Sequence, residues 1–388
     1  QADVIARLAR ARGRETFLLT ETDENALKNV QVARQLGLTP QELCDRNSEA
    51  FKQLSEQLLI SADGFIRTSS EAHHRGASRF WELCRKEDIF TDSYEGLYCT
   101  GCEDFFLEDD LCDGKCPIHL TEPDTVAETN YFFRLSSYQR EIGELISSDR
   151  LQILPEARKN EALAFVRRGL NDFSISRPGE RSGGWGVPVP DDPSQVLYVW
   201  FDALTNYLTG TGFGGSGDTF ERFWNDESTK THVLGKDIVR FHAVYWPALL
   251  LSARLPLPDK LVVHGFLTVD GVKISKSLQN AVDPIPIIQT YGPDALRYFL
   301  LRAIPSGADG DFSIDRFREV YSSDLANGVG NLVRRLETLC ERAGLSVPPG
   351  GDSDLSADVV GFADQFLFHR CLEALQGSVA DLNRQIEL

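Results

Sequence analysis

Methionine is absent from the 388-residue chain, and so is any apolar run near the roughly 20 residues that a membrane-spanning helix needs. The longest candidate, Ala243 to Ala253, is too short. The opening residues, Gln1 to Gly13, are arginine-rich and amphipathic, with neither the apolar core nor the small-residue cleavage site of a secretory signal. Membrane and secreted classes are therefore not expected. Basic charge is in deficit, with 40 Lys and Arg against 58 Asp and Glu and a formal net charge of −18. Such a surface repels nucleic acid at long range, so a polyanion partner would have to meet a local basic patch. Cysteine is scarce too. The eight present are too few and too clustered for a disulfide scaffold, and four of them fall between Cys99 and Cys116. That distribution suits a metal site in a reducing compartment, so a cytoplasmic location is expected. What remains is 42% apolar and 25% charged, the mix of a soluble globular protein. The length suggests two or three domains of about 150 residues each. With no initiating Met and a helical pattern from the outset, the natural start is expected to lie upstream.

Val4, Ile5, Leu8 and Ala11 recur at helical spacing among arginines, and Gly13 stops the pattern. Thr16 to Thr20 reads as a buried strand with Glu21 to Glu24 at its carboxyl end, followed by a helix through Val30, Ala33 and Leu36. This order predicts an α/β domain with a parallel sheet, whose ligands bind just beyond the carboxyl ends of strands. Asp23 therefore stands where chemistry is expected. From Cys99 to Thr125 periodicity fades and Cys, Asp and Pro accumulate. Further strands are predicted over Val196 to Phe201, Thr231 to Leu234 and Leu261 to Val263. A long apolar helix is predicted up to Ala253. Beyond about Asp315 the chain reads helical, with Leu325, Val329, Leu332, Leu336 and Leu339 on one face.

Two motifs carry chemistry. Cys99-x-x-Cys102 and Cys116-Pro117-Ile118-His119 place four soft ligands on two knuckles, a set suited to tetrahedral zinc. Four protein ligands leave no open position, so the role would be structural. Cys112 competes for a place but has no partner at pair spacing. The second motif, Asp270-Gly271-Val272-Lys273-Ile274-Ser275-Lys276-Ser277, sets two lysines three apart among hydroxyls. Ammonium groups so spaced can grip a triphosphate and offset charge on departing pyrophosphate, although such a loop by itself is more often just solvated surface.

Lys273-Ile274-Ser275-Lys276-Ser277 resembles the Lys-Met-Ser-Lys-Ser signature of class I aminoacyl-tRNA synthetases, and the surrounding stretches resemble the methionyl-tRNA synthetase family. Those stretches are Thr20 to Asn25, Phe65 to Thr68, Tyr94 to Cys99, Cys116-Pro117-x-His119, Asp172 to Arg177, Val199 to Ala203, Gly235 to His242 and Asp324 to Asn327. They run in the family's order through nearly the whole chain. The resemblance implies a ligase that joins L-methionine to ATP, releases pyrophosphate and passes the methionyl group to tRNA(Met). It implies that Lys273 and Lys276 act on the triphosphate together with Mg²⁺, with Ser275 between them, and that Asp237 holds the ATP ribose beside Lys236. It implies that Asp23 pairs with the methionine ammonium. Trp200, Ala203, Leu204, Tyr207, Ile238 and His242 would surround the thioether, although Trp200 and His242 read on sequence alone as core residues. Asn331 and Arg335, four apart on one helix face, match the family's anticodon readers. Arg334 and Arg342 beside them supply the local basic patch.

The resulting expectation is a Rossmann-type nucleotide-binding domain over residues 1–90 and 195–265, split by a zinc-bearing connective insert over 91–194. A signature-loop and stem-contact region would span 266–320 and an α-helical anticodon-binding domain 321–388. Two departures stand out: the family's Asp-Glu-His-Gly reads Asp23-Glu24-Asn25-Ala26, and its His-Ile-Gly-His signature would fall before Gln1. The family's anticodon-stacking tryptophan would fall after Leu388. Both ends are therefore expected to continue, which leaves open the activity of the chain as it stands. Two other readings stay open: a class I synthetase for another aliphatic amino acid, against which the short insert argues, and a non-catalytic paralogue.

Overall fold

The computed structural model describes residues 1–99, 104–106, 108, 111–117, 120–274, 281–345 and 356–387. Its first element is the helix Ala2–Ala11, which buries Asp3 and Ala6 and ends before Gly13, at a φ of 75°. Two parallel strands follow, Leu19–Thr22 and Gly64–Arg67, paired residue for residue. Between them run the helices Leu27–Leu36 and Pro40–Gln57. Gly37 stops the first in the left-handed region, where lacking a Cβ avoids strain. The second opens with a capping box, Thr39 and Glu42 each bonding the other's backbone N–H, and with Pro40 in the first turn.

A second parallel sheet orders Thr231–Gly235, Lys260–His264 and Gln152–Leu154 side by side. Gln152–Leu154 comes from within the span assigned to the insert, yet it pairs with a strand of the nucleotide-binding part. Helices Glu71–Leu83, Val199–Thr209 and Trp246–Ala253 share the main core. There the rings of Phe80, Phe201 and Trp246 meet at 5.4 and 5.6 Å and none is exposed. The span expected to form the insert is built on a long antiparallel ribbon of Ile89–Cys99 and Asp124–Phe133, flanked by Asp104–Phe106 and Phe173–Ser174.

After His264 the chain forms a smaller sheet in which Leu267–Val269 pairs with Val272–Lys273 and with Gly310–Phe312. This sheet lies over its own core of Leu296, Phe299, Phe312 and Phe317. Helical segments Tyr321–Gly330, Asn331–Ala343, Ala357–Asp364 and Phe368–Glu387 complete the order. Among the described residues no helix is long and apolar enough to cross a membrane.

Two strand expectations need correction. Pairing begins at Leu19 and not at Thr16, because the backbone N–H of Leu18 donates to the Asp63 carboxylate at 2.7 Å instead of to a neighbouring strand. The run Val196 to Phe201 divides: Asp192–Leu197 is a strand, and Val199–Thr209 is a helix. A continuous apolar run fits a buried strand and a buried helix equally, and the Tyr198 carbonyl accepts the N–H of Asp202 to start the helix. Trp200 and Ala203 are thus helical residues.

Candidate active site

The helix Val199–Thr209 forms one wall of the site, with Ala203 and Leu204 buried and Trp200 and Tyr207 partly so. The facing wall is the segment after Gly235, carrying Ile238 and His242. Trp200 stacks on Phe241 with centroids 3.9 Å apart and rings 7° from parallel, and its buried indole N–H has no partner. The Nδ1–H of His242 donates to the Ile238 carbonyl at 3.0 Å, which leaves Nε2 to accept the Tyr207 hydroxyl at 2.8 Å. That tautomer is neutral, and burial pulls the His242 pKa down to about 4. Burial likewise pushes the Tyr207 phenol upward, with Glu21 adding to the shift. The two packed segments therefore present aromatic faces and uncharged polar groups at neutral pH.

Behind Tyr207 lies a residue that the sequence reading missed. His232 stacks on the Tyr207 ring at 3.9 Å and its Nε2 accepts the Trp246 indole N–H at 3.3 Å. Burial, then the neighbouring His242 and Lys230, lower its pKa well below the usual value. Nothing in the sequence singled it out: a His within an apolar strand reads as packing.

Asp23 is exposed at the carboxyl end of its strand. The two residues after it are buried and held from several sides. Glu24 accepts three bonds from Arg67, at 2.9, 3.2 and 3.1 Å, and further bonds from Thr22 and Ser69. Asn25 donates to Asp202 at 2.6 Å and to the Thr68 carbonyl at 3.0 Å. Asp202 has no exposed surface, and its other oxygen takes a 2.6 Å bond from His73. Asp202 lies two residues after Trp200 and directly before Ala203 on the helix Val199–Thr209. The Asn25 bond thus ties the Asp23 loop to the pocket wall, and an amide does so where the family pattern has an imidazole. Glu21, at the same strand end, touches solvent, yet burial, then Asp202 and Glu24, raise its pKa to about 8.

Asp237 is exposed in the turn Lys236–Ile238, directly after the strand Thr231–Gly235. Lys236 points elsewhere: its ammonium meets both carboxylate oxygens of Asp309 at 2.7 Å. Lys273 ends the hairpin strand Val272–Lys273, while Ser275 and Lys276 lie outside the described residues. Cys99 and Cys116 are both buried and come together with Leu111 in a small cluster apart from the main core. Cys102 and His119 fall outside the described residues, and Cys112 is exposed. Asn331 and Arg335 are both exposed on the helix Asn331–Ala343.

The family model described as class I tRNA synthetases (M) matches residues 1–125 and 107–337. A methionine–tRNA ligase of Brucella suis is 40% identical over 400 residues, covering 98% of this chain and 76% of that protein. The chain belongs to the methionyl class I tRNA synthetases. A methionine–tRNA ligase of a Nostoc species is 45% identical over 357 residues, covering 89% of this chain and 66% of its own length. Among solved structures, Mycobacterium tuberculosis methionyl-tRNA synthetase bound by methionyl-adenylate superposes with a TM-score of 0.90 at 40% identity, covering 99% of this chain and 78% of that one. The apo form of the same enzyme gives 0.80 at 38% identity. Membership in this methionyl family fixes the α/β class I fold and makes the chain an aminoacyl-tRNA ligase by descent.

Proposed function

We propose that the chain activates L-methionine with ATP, releasing pyrophosphate and forming methionyl-adenylate, and then esterifies the 3′ end of tRNA(Met). The observation that carries this reading is the tie between the Asp23 strand end and the pocket helix, through the 2.6 Å Asn25–Asp202 bond. This tie supports a reading in which the Asp23 carboxylate would take an ammonium group and the aromatic side chains of the neighbouring helix a thioether. Sulfur–aromatic contacts are worth roughly 0.3–1.5 kcal/mol each, and Trp200, Tyr207 and His242 supply the rings.

In the first step the methionine carboxylate attacks the α-phosphorus of ATP, and the bond to the pyrophosphate oxygen breaks. No side chain has to accept a proton, so catalysis is positioning and charge neutralisation. Asp23 anchors the ammonium and Asp237 the ribose, while Lys273 and Lys276 offset the charge gathering on pyrophosphate, with Ser275 between them and Mg²⁺ accompanying the nucleotide. In the second step a terminal ribose hydroxyl of the tRNA attacks the carbonyl carbon and AMP leaves. Asn331 and Arg335 are suited to the Watson–Crick edges of splayed anticodon bases, in a helical domain that would extend from about residue 321.

The insert would carry one structural zinc on Cys99, Cys102, Cys116 and His119. In support, Cys99 and Cys116 are buried together, and among the described residues Leu111 is the apolar side chain packed against them. Such an ion would hold the two knuckles together and take no part in the reaction. A cytoplasmic location accords with few cysteines, four of them clustered between Cys99 and Cys116. The test is amino-acid-dependent exchange of labelled pyrophosphate into ATP. Methionine should drive it and isoleucine, leucine and valine should not; exchange driven by isoleucine but not methionine would reject the assignment.

A further inference from the structure

We propose that Lys236 is a positioning residue and not a phosphate ligand: its ion pair with Asp309 latches the signature-lysine hairpin to the ribose-binding strand end. Lys236 follows the strand Thr231–Gly235 and immediately precedes Asp237. Its ammonium bonds Asp309 Oδ1 and Oδ2, each at 2.7 Å, and stands 4.5 Å over the Phe266 ring. Asp309 is engaged twice over, since Oδ1 also accepts the backbone N–H of Phe266 at 2.8 Å. Residues 266 and 309 are the roots of the hairpin sheet: Leu267 begins its central strand and Gly310 begins the partner strand in register with it. The Gly310 N–H then returns to the Phe266 carbonyl at 2.9 Å.

The other end of this small sheet is held in the same manner. Asp311 accepts the Thr268 hydroxyl at 2.6 Å and the Gly271 N–H at 2.7 Å, which fixes the turn at Asp270 and Gly271, both at positive φ. Lys273 lies two residues beyond that turn. At the junction itself a Cβ on Gly265 would collide with the Ala308 carbonyl, so the two backbones cross with no side chain between them. Backbone crossing sets the distance between the two units at this junction, and the Lys236–Asp309 pair holds their orientation there, with the Asp3–Arg297 pair as a second tie elsewhere. Through the Asp309–Phe266 bond and the register of Thr268 with Lys273, the pair connects the place of Asp237 to the place of Lys273. An ammonium already shared by two carboxylate oxygens and an aromatic face has little left for a phosphate. Asp309's pKa is held below the usual range, chiefly by the Lys236 bond and then by the Phe266 N–H.

This inference rests on the reading of Lys273 and Lys276 as the residues that act on ATP. The decisive variant is Asp309→Asn, tested in methionine-dependent pyrophosphate exchange with hydrogen exchange at the amides of residues 266–273. If the pair is a latch, kcat/KM for ATP falls about ten- to a hundred-fold, as for an ångström-scale misplacement. KM for methionine stays unchanged and the hairpin amides exchange faster. Reversing the pair, Lys236→Asp with Asp309→Lys, recovers most of the loss. If Lys236 instead grips phosphate, Asp309→Asn frees it and ATP use is unchanged or better, which overturns the proposal. Slow hairpin exchange in Asp309→Asn overturns it equally, whether or not the reversed pair folds. Lys273→Ala separates the two readings: normal exchange in that variant sinks the assignment of the hairpin, whereas a loss there with full ATP use in Asp309→Asn sinks the latch alone.

Discussion

Replacing Asp3 by Asn should weaken the joint between the first helix and the hairpin-bearing unit. The Asp3 side chain is only 4% exposed and receives the Ser61 N–H and hydroxyl, each at 2.7 Å, and Arg7 Nε at 2.9 Å. It also receives Arg297 from the helix Pro293–Arg302, whose Nη1 reaches the Leu58 carbonyl at 2.9 Å. Four donors from three segments of the chain thus converge on one carboxylate. Removing one partner of a buried ion pair costs about 3–5 kcal/mol; Arg7, half exposed, contributes little of that. Burial alone would raise the Asp3 pKa, but the Ser61 bonds, then Arg297 and Arg7, outweigh it and hold the carboxyl well below its usual range. The stabilisation is therefore complete above the unfolded value of 3.8 and is lost as pH falls toward the lower folded value. Urea titrations of both proteins should show a constant gap from pH 7 to pH 5 that narrows only in more acid solution. A gap under about 1 kcal/mol at pH 7, or one that closes by pH 6, would refute the reasoning.

Glu21 has the opposite linkage. The folded chain keeps its proton up to about pH 8, against 4.5 for the ordinary group, so its contribution is most favourable in acid and fades as pH rises through 8. Glu21→Gln should leave the melting temperature unchanged at pH 4 and raise it at pH 8; no gain at pH 8 would count against a carboxyl that keeps its proton in the folded chain. His232→Ala removes the ring stacked behind Tyr207 and should raise KM for methionine while leaving KM for ATP alone, read by steady-state exchange kinetics. An equal rise in both would mean general damage. Metal analysis of fresh protein should give about one zinc per chain, and chelation should open Cys99 and Cys116 to a thiol reagent. Rapid labelling of both thiols before chelation would contradict the knuckle.

The positions of Asp23 and Asp237 were legible because both follow predicted strands. Asp23 after a strand and Asp237 after Thr231–Gly235 are placed by the rule that ligands gather at carboxyl ends of parallel strands. The parallel pairing of Thr231–Gly235 with Lys260–His264 follows from two short apolar runs separated by a helix. Other features were not readable in one dimension. Val199 to Phe201 carries no periodicity to separate strand from helix, and only the Tyr198 turn decides it. The network of Asn25, Asp202 and His73 joins residues far apart in sequence, so no local spacing announces it. In sequence Lys236 groups with ATP binding because it precedes Asp237, while the partner of its ammonium, Asp309, lies 73 residues away.

The most direct test of the account is a crystal structure of the chain with methionyl-adenylate. The account expects the thioether among Trp200, Tyr207 and His242, the ammonium within hydrogen-bond reach of Asp23, and the ribose hydroxyls on Asp237. An adenylate bound with its amino group away from Asp23, or with its side chain outside those three rings, would contradict it.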